Sequence, residues 1–297
     1  MAVLAFVGFG ELGSSLAQGL SNSGRHELRA YMRRPPAGDP IGERRLTGSG
    51  VRRDDELASA VSDADVVLAV VPAASASDVA QCCAPWLCPG TLYVDFASAE
   101  PERKESSAAV IAASGALYVD AAVLGTVITS GHQVPILASG PGASAWQSLA
   151  TAEGLRVTAL DAPAGHAALV KLIRGVYLKG RDALIVEMML TARRNGLDRL
   201  VASSIDVPGE QVPFTAIVDR VLCSLAVHAG RRADELAAAS QIVDRAGIDP
   251  AFTRAGSQTL RTIAELDLDD VIGDGRPTDA SAVLAAIDRE TARADAK

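Results

Sequence analysis

Two short stretches carry residue types at spacings that could do chemistry. The first is GFGELG, in which Gly8, Gly10 and Gly13 fit the spacing G-x-G-x-x-G. It follows the apolar run AVLAFV and opens the helix-like ELGSSLAQGLSNSG, so it sits in a strand, a turn and a helix. In that setting the first glycine permits a tight turn, the second lets a pyrophosphate approach the backbone, and the third lets helix and strand pack closely. N–H groups at the helix start, aided by the helix dipole, hold the phosphate charge. Gly8, Phe9, Gly10, Glu11, Leu12 and Gly13 are therefore expected to line a dinucleotide. The second stretch is HAALVKLIRGVYLKG. On a helix, Lys171, Arg174 and Gly175 share a face. A lysine between LV and LI loses hydration, which favours its neutral form, as an acid/base group needs. Arg174 keeps its charge and offers a fork for a carboxylate or phosphate, while Gly175 leaves room against the backbone. Lysines in such stretches also commonly snorkel to solvent, and the residues alone leave both readings open.

Selectivity within the dinucleotide class is read at the end of the second strand. An NAD site places an acid there for the ribose 2′-hydroxyl. Here the stretch is AYMRRPP, with no acid, and Arg33 and Arg34 suit a 2′-phosphate. NADP is expected in preference to NAD. Glu11 has two readings: it orders the loop or a group on the substrate side, or it simply caps the helix start, where the dipole favours a carboxylate. His132, in TSGHQVP, is read either as a substrate contact or as an ordinary loop hydrogen-bonding residue.

The elements that must position these groups follow from periodicity. HELRAYM, VVLAVV, TLYVDF, ALYVDAAVLG, PILASG and LRVTALD read as strands, separated by helical stretches such as SASDVAQCCA, ERKESSAAVIAAS and ASAWQSLATAEG. Such alternation implies parallel βαβ units, a doubly wound sheet of Rossmann type, over residues 1–162. From 163 to 297 the pattern is helical throughout, which implies a second, all-α domain.

Bulk properties narrow the partners. The chain has 297 residues, 36 acidic against 28 basic, and a net charge of −8. That balance argues against nucleic acid and anionic membrane and leaves small molecules and further copies of the chain. No apolar run suggests a membrane helix and the amino terminus lacks a secretory pattern, so the expectation is cytoplasmic. Cys82, Cys83, Cys88 and Cys223 match neither a zinc site nor a disulfide framework and read as small buried thiols; no metal is expected.

With the glycine turn, the segments VVLAVVP, VDFASAEP and HAALVKLIRGVYLKG stand in the order and at the separations of the β-hydroxyacid dehydrogenases, relatives of 6-phosphogluconate dehydrogenase. The chain resembles that group over nearly its whole length. AAVLGTVITSGHQVPILASGP, KLIRGVYLKG and HAGRRADELAAASQIVDRAGIDP resemble its branch with a DUF1932 carboxy-terminal domain. The resemblance implies a cofactor domain, a helical domain that pairs with a second subunit, and a site in the cleft between them. It implies Lys171 as general acid/base, Ser98 as a substrate contact, and Val71 and Pro72 beside the cofactor. Where many relatives carry a serine and two glycines that hold the substrate carboxylate, this chain has AAVLGT, so only Gly125 and Thr126 stand in. The asparagine usual four residues after the lysine is replaced by Gly175.

The function expected from all this is an NADP-dependent oxidoreductase that interconverts a small hydroxy acid, or related alcohol, and its keto or aldehyde form by hydride transfer, as a homodimer. Two alternatives stand beside it: reduction of an imine C=N bond, and a nicotinamide-binding sensor without turnover.

Overall fold

The computed structural model describes residues 1–21, 24–33, 44–47, 49–194, 196–205, 212–245, 247, 249–272, 275 and 277–295. The chain divides into two compact units, Met1–Lys171 and Leu172–Lys297.

Among the described residues the first unit carries eight strands: β1 Ala2–Val7, β2 His26–Tyr31, β3 Arg52–Asp54, β4 Val66–Ala69, β5 Leu92–Asp95, β6 Leu117–Val123, β7 Ile136–Ser139 and β8 Val157–Ala159. Their order is β3-β2-β1-β4-β5-β6-β7-β8. The order turns back between β1 and β4, the switch point at which doubly wound sheets open a ligand crevice beyond their strand ends.

Alternating residues feed two cores. Leu4, Phe6, Leu68, Val94 and Val119 pack on α1 (Glu11–Ser21) and α6 (Ala143–Ala152) through Leu16, Leu20 and Trp146. On the other face, Ala5, Val7, Val67, Tyr93 and Tyr118 pack on α2 (Leu57–Val61), α3 (Ala76–Cys83) and α4 (Pro101–Ala112) through Val61, Ala80, Cys83 and Ile111. Strands covered on both faces are apolar along most of their length, which is why they read so clearly in sequence.

Two strands depart from the sequence reading. β3 is the short edge RRD, whose side chains are largely exposed and give no apolar signal. β7 pairs antiparallel with β6, whereas every other pair is parallel. The connection between them, residues 124–135, holds only the single turn α5 (Val127–Ser130) and a 3-10 turn, too little to cross the sheet and return in the same direction.

The second unit is helical. Its core joins the long helix α7 (His166–Arg194), α8 (Asp198–Ser204), α9 (Phe214–Arg245), α10 (Ala251–Ala264) and α12 (Ala280–Asp295), with α11 (Asp269–Ile272) beside it. The division between units falls inside α7 rather than at residue 163. The cause is local: the first turn of α7 is hydrogen-bonded into the sheet unit, as described below.

Candidate active site

The glycine turn is built as its spacing requires. Gly8 has φ +87°, its N–H donates to the Tyr31 carbonyl at 2.9 Å, and a Cβ there would lie 2.3 Å from the Val70 carbonyl oxygen. A Cβ on Gly10 would meet nothing within 4 Å, so the space above the turn is open. Gly13 is buried in α1, where a Cβ would come within 3.3 Å of the Gly8 carbonyl oxygen. The first bond of α1 runs from Ser14 N–H to the Gly10 carbonyl at 3.0 Å, which leaves the amides of residues 11–13 ahead of the ladder. The open approach at Gly10 and these amides fit a pyrophosphate.

The side chains around the turn divide. Phe9 is buried edge-on against Phe6 with ring centroids 5.4 Å apart, and Leu12 packs against the same core. The Phe9 ring is therefore turned into the core, which leaves its backbone to face the open space above the turn. Val71 stands beside the turn, with Cγ1 3.1 Å from a Cβ placed on Gly8, and Pro72 follows it, exposed. Glu11 is exposed in the first turn of α1 and lines a polar groove of about 440 Å³ with Ser14, Gln18, Arg45, Thr47 and Val127. Arg33 is exposed two residues past β2. Arg34 lies outside the described residues.

Lys171 and Ser98 are brought together, 73 residues apart in sequence: the ammonium donates to Ser98 Oγ at 2.6 Å. Ser98 lies just beyond the end of β5, and between Thr91 and Ala99 it alone is exposed. A single hydroxyl is thus presented by a loop whose other side chains are in the core.

Beneath this pair lies a charged row that the sequence reading missed. Asp95, Asp120 and Ser139 are register partners across β5, β6 and β7. Lys104 of α4 is only 1% exposed and reaches into the row, with Nζ 2.8 Å from the Asp95 carbonyl oxygen, 3.2 Å from Asp95 Oδ2 and 3.3 Å from Asp120 Oδ1. Tyr118 Oη donates to Asp95 Oδ2 at 2.6 Å; burial, with Asp95 next in effect, holds that phenol far above its ordinary pKa. Asp120 Oδ2 accepts the Ala168 N–H at 2.9 Å and Ser139 Oγ accepts the Ala167 N–H at 3.0 Å. These bonds satisfy the start of α7, and the carboxylate is favoured there by the helix dipole. One signal was visible: LYVD occurs twice, at 92–95 and 117–120, each time placing an acid in an apolar strand.

The remaining expected residues are placed as follows. Thr126 is exposed and its Oγ1 accepts the Ile128 N–H at 3.3 Å, so it caps α5; Gly125 precedes it. His132 packs on α1, where a Cβ on Gly19 would lie 2.8 Å from its Cβ, Cγ and Cδ2. Arg174 is exposed on α7, and a Cβ on Gly175 would meet nothing within 4 Å. Lys179 lies 3.6 Å from Glu235, with desolvation lowering its pKa. Of the thiols, Cys83 and Cys223 are buried, and burial pushes Cys83 up to about 12. Cys82 and Cys88 are exposed, contrary to the reading of all four as buried. Among the described residues no cluster of His, Cys, Asp and Glu has metal-binding geometry, and no helix is long and apolar enough to cross a membrane.

Comparison with known proteins follows the same lines. A conserved hypothetical protein from Sinorhizobium meliloti 1021 is 28% identical, with 98% of this chain and 97% of that chain covered and a TM-score of 0.72. The fold is shared with the 3-hydroxyisobutyrate dehydrogenase of Mycobacterium tuberculosis, solved with L-serine, at 19% identity, 97% and 99% coverage and TM-score 0.67. It is also shared with an imine reductase from a Pseudomonas species, at 18% identity, 96% and 99% coverage and TM-score 0.58. Residues 192–263 match the domain of unknown function DUF1932. Residues 3–152, half of the chain, match the NAD binding domain of 6-phosphogluconate dehydrogenase, and the chain belongs to that family.

Proposed function

We propose that the protein is an NADP-dependent oxidoreductase that interconverts a small hydroxy acid, or a related alcohol, and its keto or aldehyde form, with Lys171 as general acid/base. The observation that carries the reading is the 2.6 Å bond between Lys171 Nζ and Ser98 Oγ, formed beyond a strand end of the sheet that also carries the glycine turn. The nicotinamide, when bound, takes or gives the hydride. Lys171 takes the hydroxyl proton on oxidation and returns it on reduction. On oxidation the neutral amine of Lys171 becomes the ammonium, which donates a hydrogen bond to Ser98 Oγ, while the Ser98 O–H is offered to the substrate oxygen. Arg174, three residues further along α7, offers a bidentate fork suited to a carboxylate.

The preference for the phosphorylated cofactor rests on Arg33 and on the absence of an acid among Tyr31, Met32 and Arg33. Ile173, Tyr177 and Leu184 are 54%, 68% and 50% exposed along α7, and a second copy of the chain is the cover proposed for them.

The deciding experiment follows cofactor oxidation or reduction over a panel of hydroxy acids, keto acids, aldehydes and imines, with wild type and Lys171→Met. The expected result is turnover of one oxygen-containing class, a fall of about 10²- to 10⁴-fold in the variant, and unchanged NADPH binding. Wild-type turnover in the variant overturns the role of Lys171. Activity with imines alone overturns the substrate class.

A further inference from the structure

Neither cofactor nor substrate explains Lys104. Two carboxylates on adjacent parallel strands, Asp95 and Asp120, are 2% and 0% exposed on a face otherwise packed with Tyr93, Tyr118 and Ile111. Side by side they repel, and removal from water adds a cost that only a close counter-charge offsets. Lys104 supplies that charge to both. A buried ionic set of this kind adds little net stability over apolar packing of the same volume, so its retention calls for another account, and fixing register is the best attested one.

The register in question is visible from each end of the row. Asp95 Oδ1 accepts the Ala97 N–H at 2.8 Å, one residue before Ser98. Asp120 and Ser139 accept the N–H groups of Ala168 and Ala167, three and four residues before Lys171. The ammonium of Lys104 therefore joins the two carboxylates that separately fix the Ser98 loop and the first turn of α7. We infer that Lys104, acting through Asp95 and Asp120, is a positioning residue that sets the Lys171–Ser98 pair at hydrogen-bonding distance. The hydrogen bond and ion pairs of Lys104 go to Asp95 and Asp120 rather than to Ser98 or Lys171, and its catalytic consequence rests on the acid/base reading of Lys171 above.

The test compares Lys104→Met with Lys104→Met/Asp120→Asn. The native set of one ammonium and two carboxylates carries a net charge of −1. The double variant keeps that charge, and the amide oxygen at position 120 still accepts the Ala168 N–H, so folding is retained where the single variant loses it. Amide hydrogen exchange over the first two turns of α7 reads the positioning without any substrate. Steady-state kinetics reads its consequence. For the double variant the expected results are a melting temperature near wild type, NADPH affinity within about twofold, exchange about tenfold faster at the start of α7, and kcat lower by roughly 10- to 100-fold with KM little changed. Ser139→Ala, which deletes a single oxygen, moves exchange and kcat in the same direction by a smaller factor. Wild-type exchange at α7 in the double variant, or wild-type kcat, overturns the inference. Faster exchange in the variants of a wild type that turns over nothing in the panel supports the positioning and overturns the acid/base reading, so the two fail separately.

Discussion

At the scale of single residues, the glycines of the turn separate folding from binding. A methyl group at Gly8 collides with the Val70 carbonyl at 2.3 Å, so Gly8→Ala is expected to yield little folded protein. At Gly10 the same methyl meets no protein atom. Gly10→Ala should therefore melt with wild type yet bind NADPH at least tenfold more weakly, about 1.4 kcal/mol, because the lost space belongs to the phosphate. Calorimetric melting and a cofactor titration on the two variants check both halves. The buried phenols make a pH prediction. Burial, chiefly, raises Tyr93 and Tyr118 well above the ordinary tyrosine range. In the unfolded chain they ionise near ~10, so above that pH the folded state binds more protons than the unfolded and stability falls as pH rises. A lower urea midpoint at pH 11 than at pH 9, with the phenolate absorbance of these two appearing only on unfolding, is the expected observation. Gly8, Gly10 and Gly13 were legible because their spacing is local. Ser98 and Lys171 came through the resemblance, and their mutual distance depends on the fold. Lys104 was not legible, since a lysine in PERKESS reads as solvent-facing until its two carboxylate partners are placed by strand pairing.

At the scale of elements, α1 is gripped at both ends. Its first turn borders the phosphate space, and toward its other end Gly19 lies flat on His132 from the 3-10 turn after α5. A methyl at Gly19 would stand 2.8 Å from the inner atoms of that side chain, so either the helix or the turn has to move. Gly19→Ala is expected to destabilise the protein by about 1–3 kcal/mol and to weaken NADPH binding, although it lies toward the opposite end of α1 from the glycine turn. His132→Ala in the same chain should recover part of both losses, which a double-mutant cycle measures. The elements themselves were largely readable, because strands buried on both faces are mostly apolar. β3 escaped, being an edge of two arginines and an aspartate. The direction of β7 escaped as well, because an apolar run carries no mark of which way its neighbour points.

For the whole molecule, the change from alternating to helical periodicity near residue 163 is legible in the sequence, while the compact units meet within α7. DAPAGH looks like a linker, yet the compact sheet unit continues to Lys171 because Asp120 and Ser139 bind the backbone of α7 from within the sheet. Light scattering should find a dimer, and Ile173→Glu/Leu184→Glu should convert it to monomer while each chain stays helical by circular dichroism. The reversal between β6 and β7 has a consequence of its own. A hairpin-like connection tolerates added or deleted residues, since its strands stay neighbours whatever the length between them, whereas a crossover would have to be rethreaded. Residues 124–135 can therefore gain or lose residues without rethreading the sheet, provided the turn that seats His132 on α1 is kept.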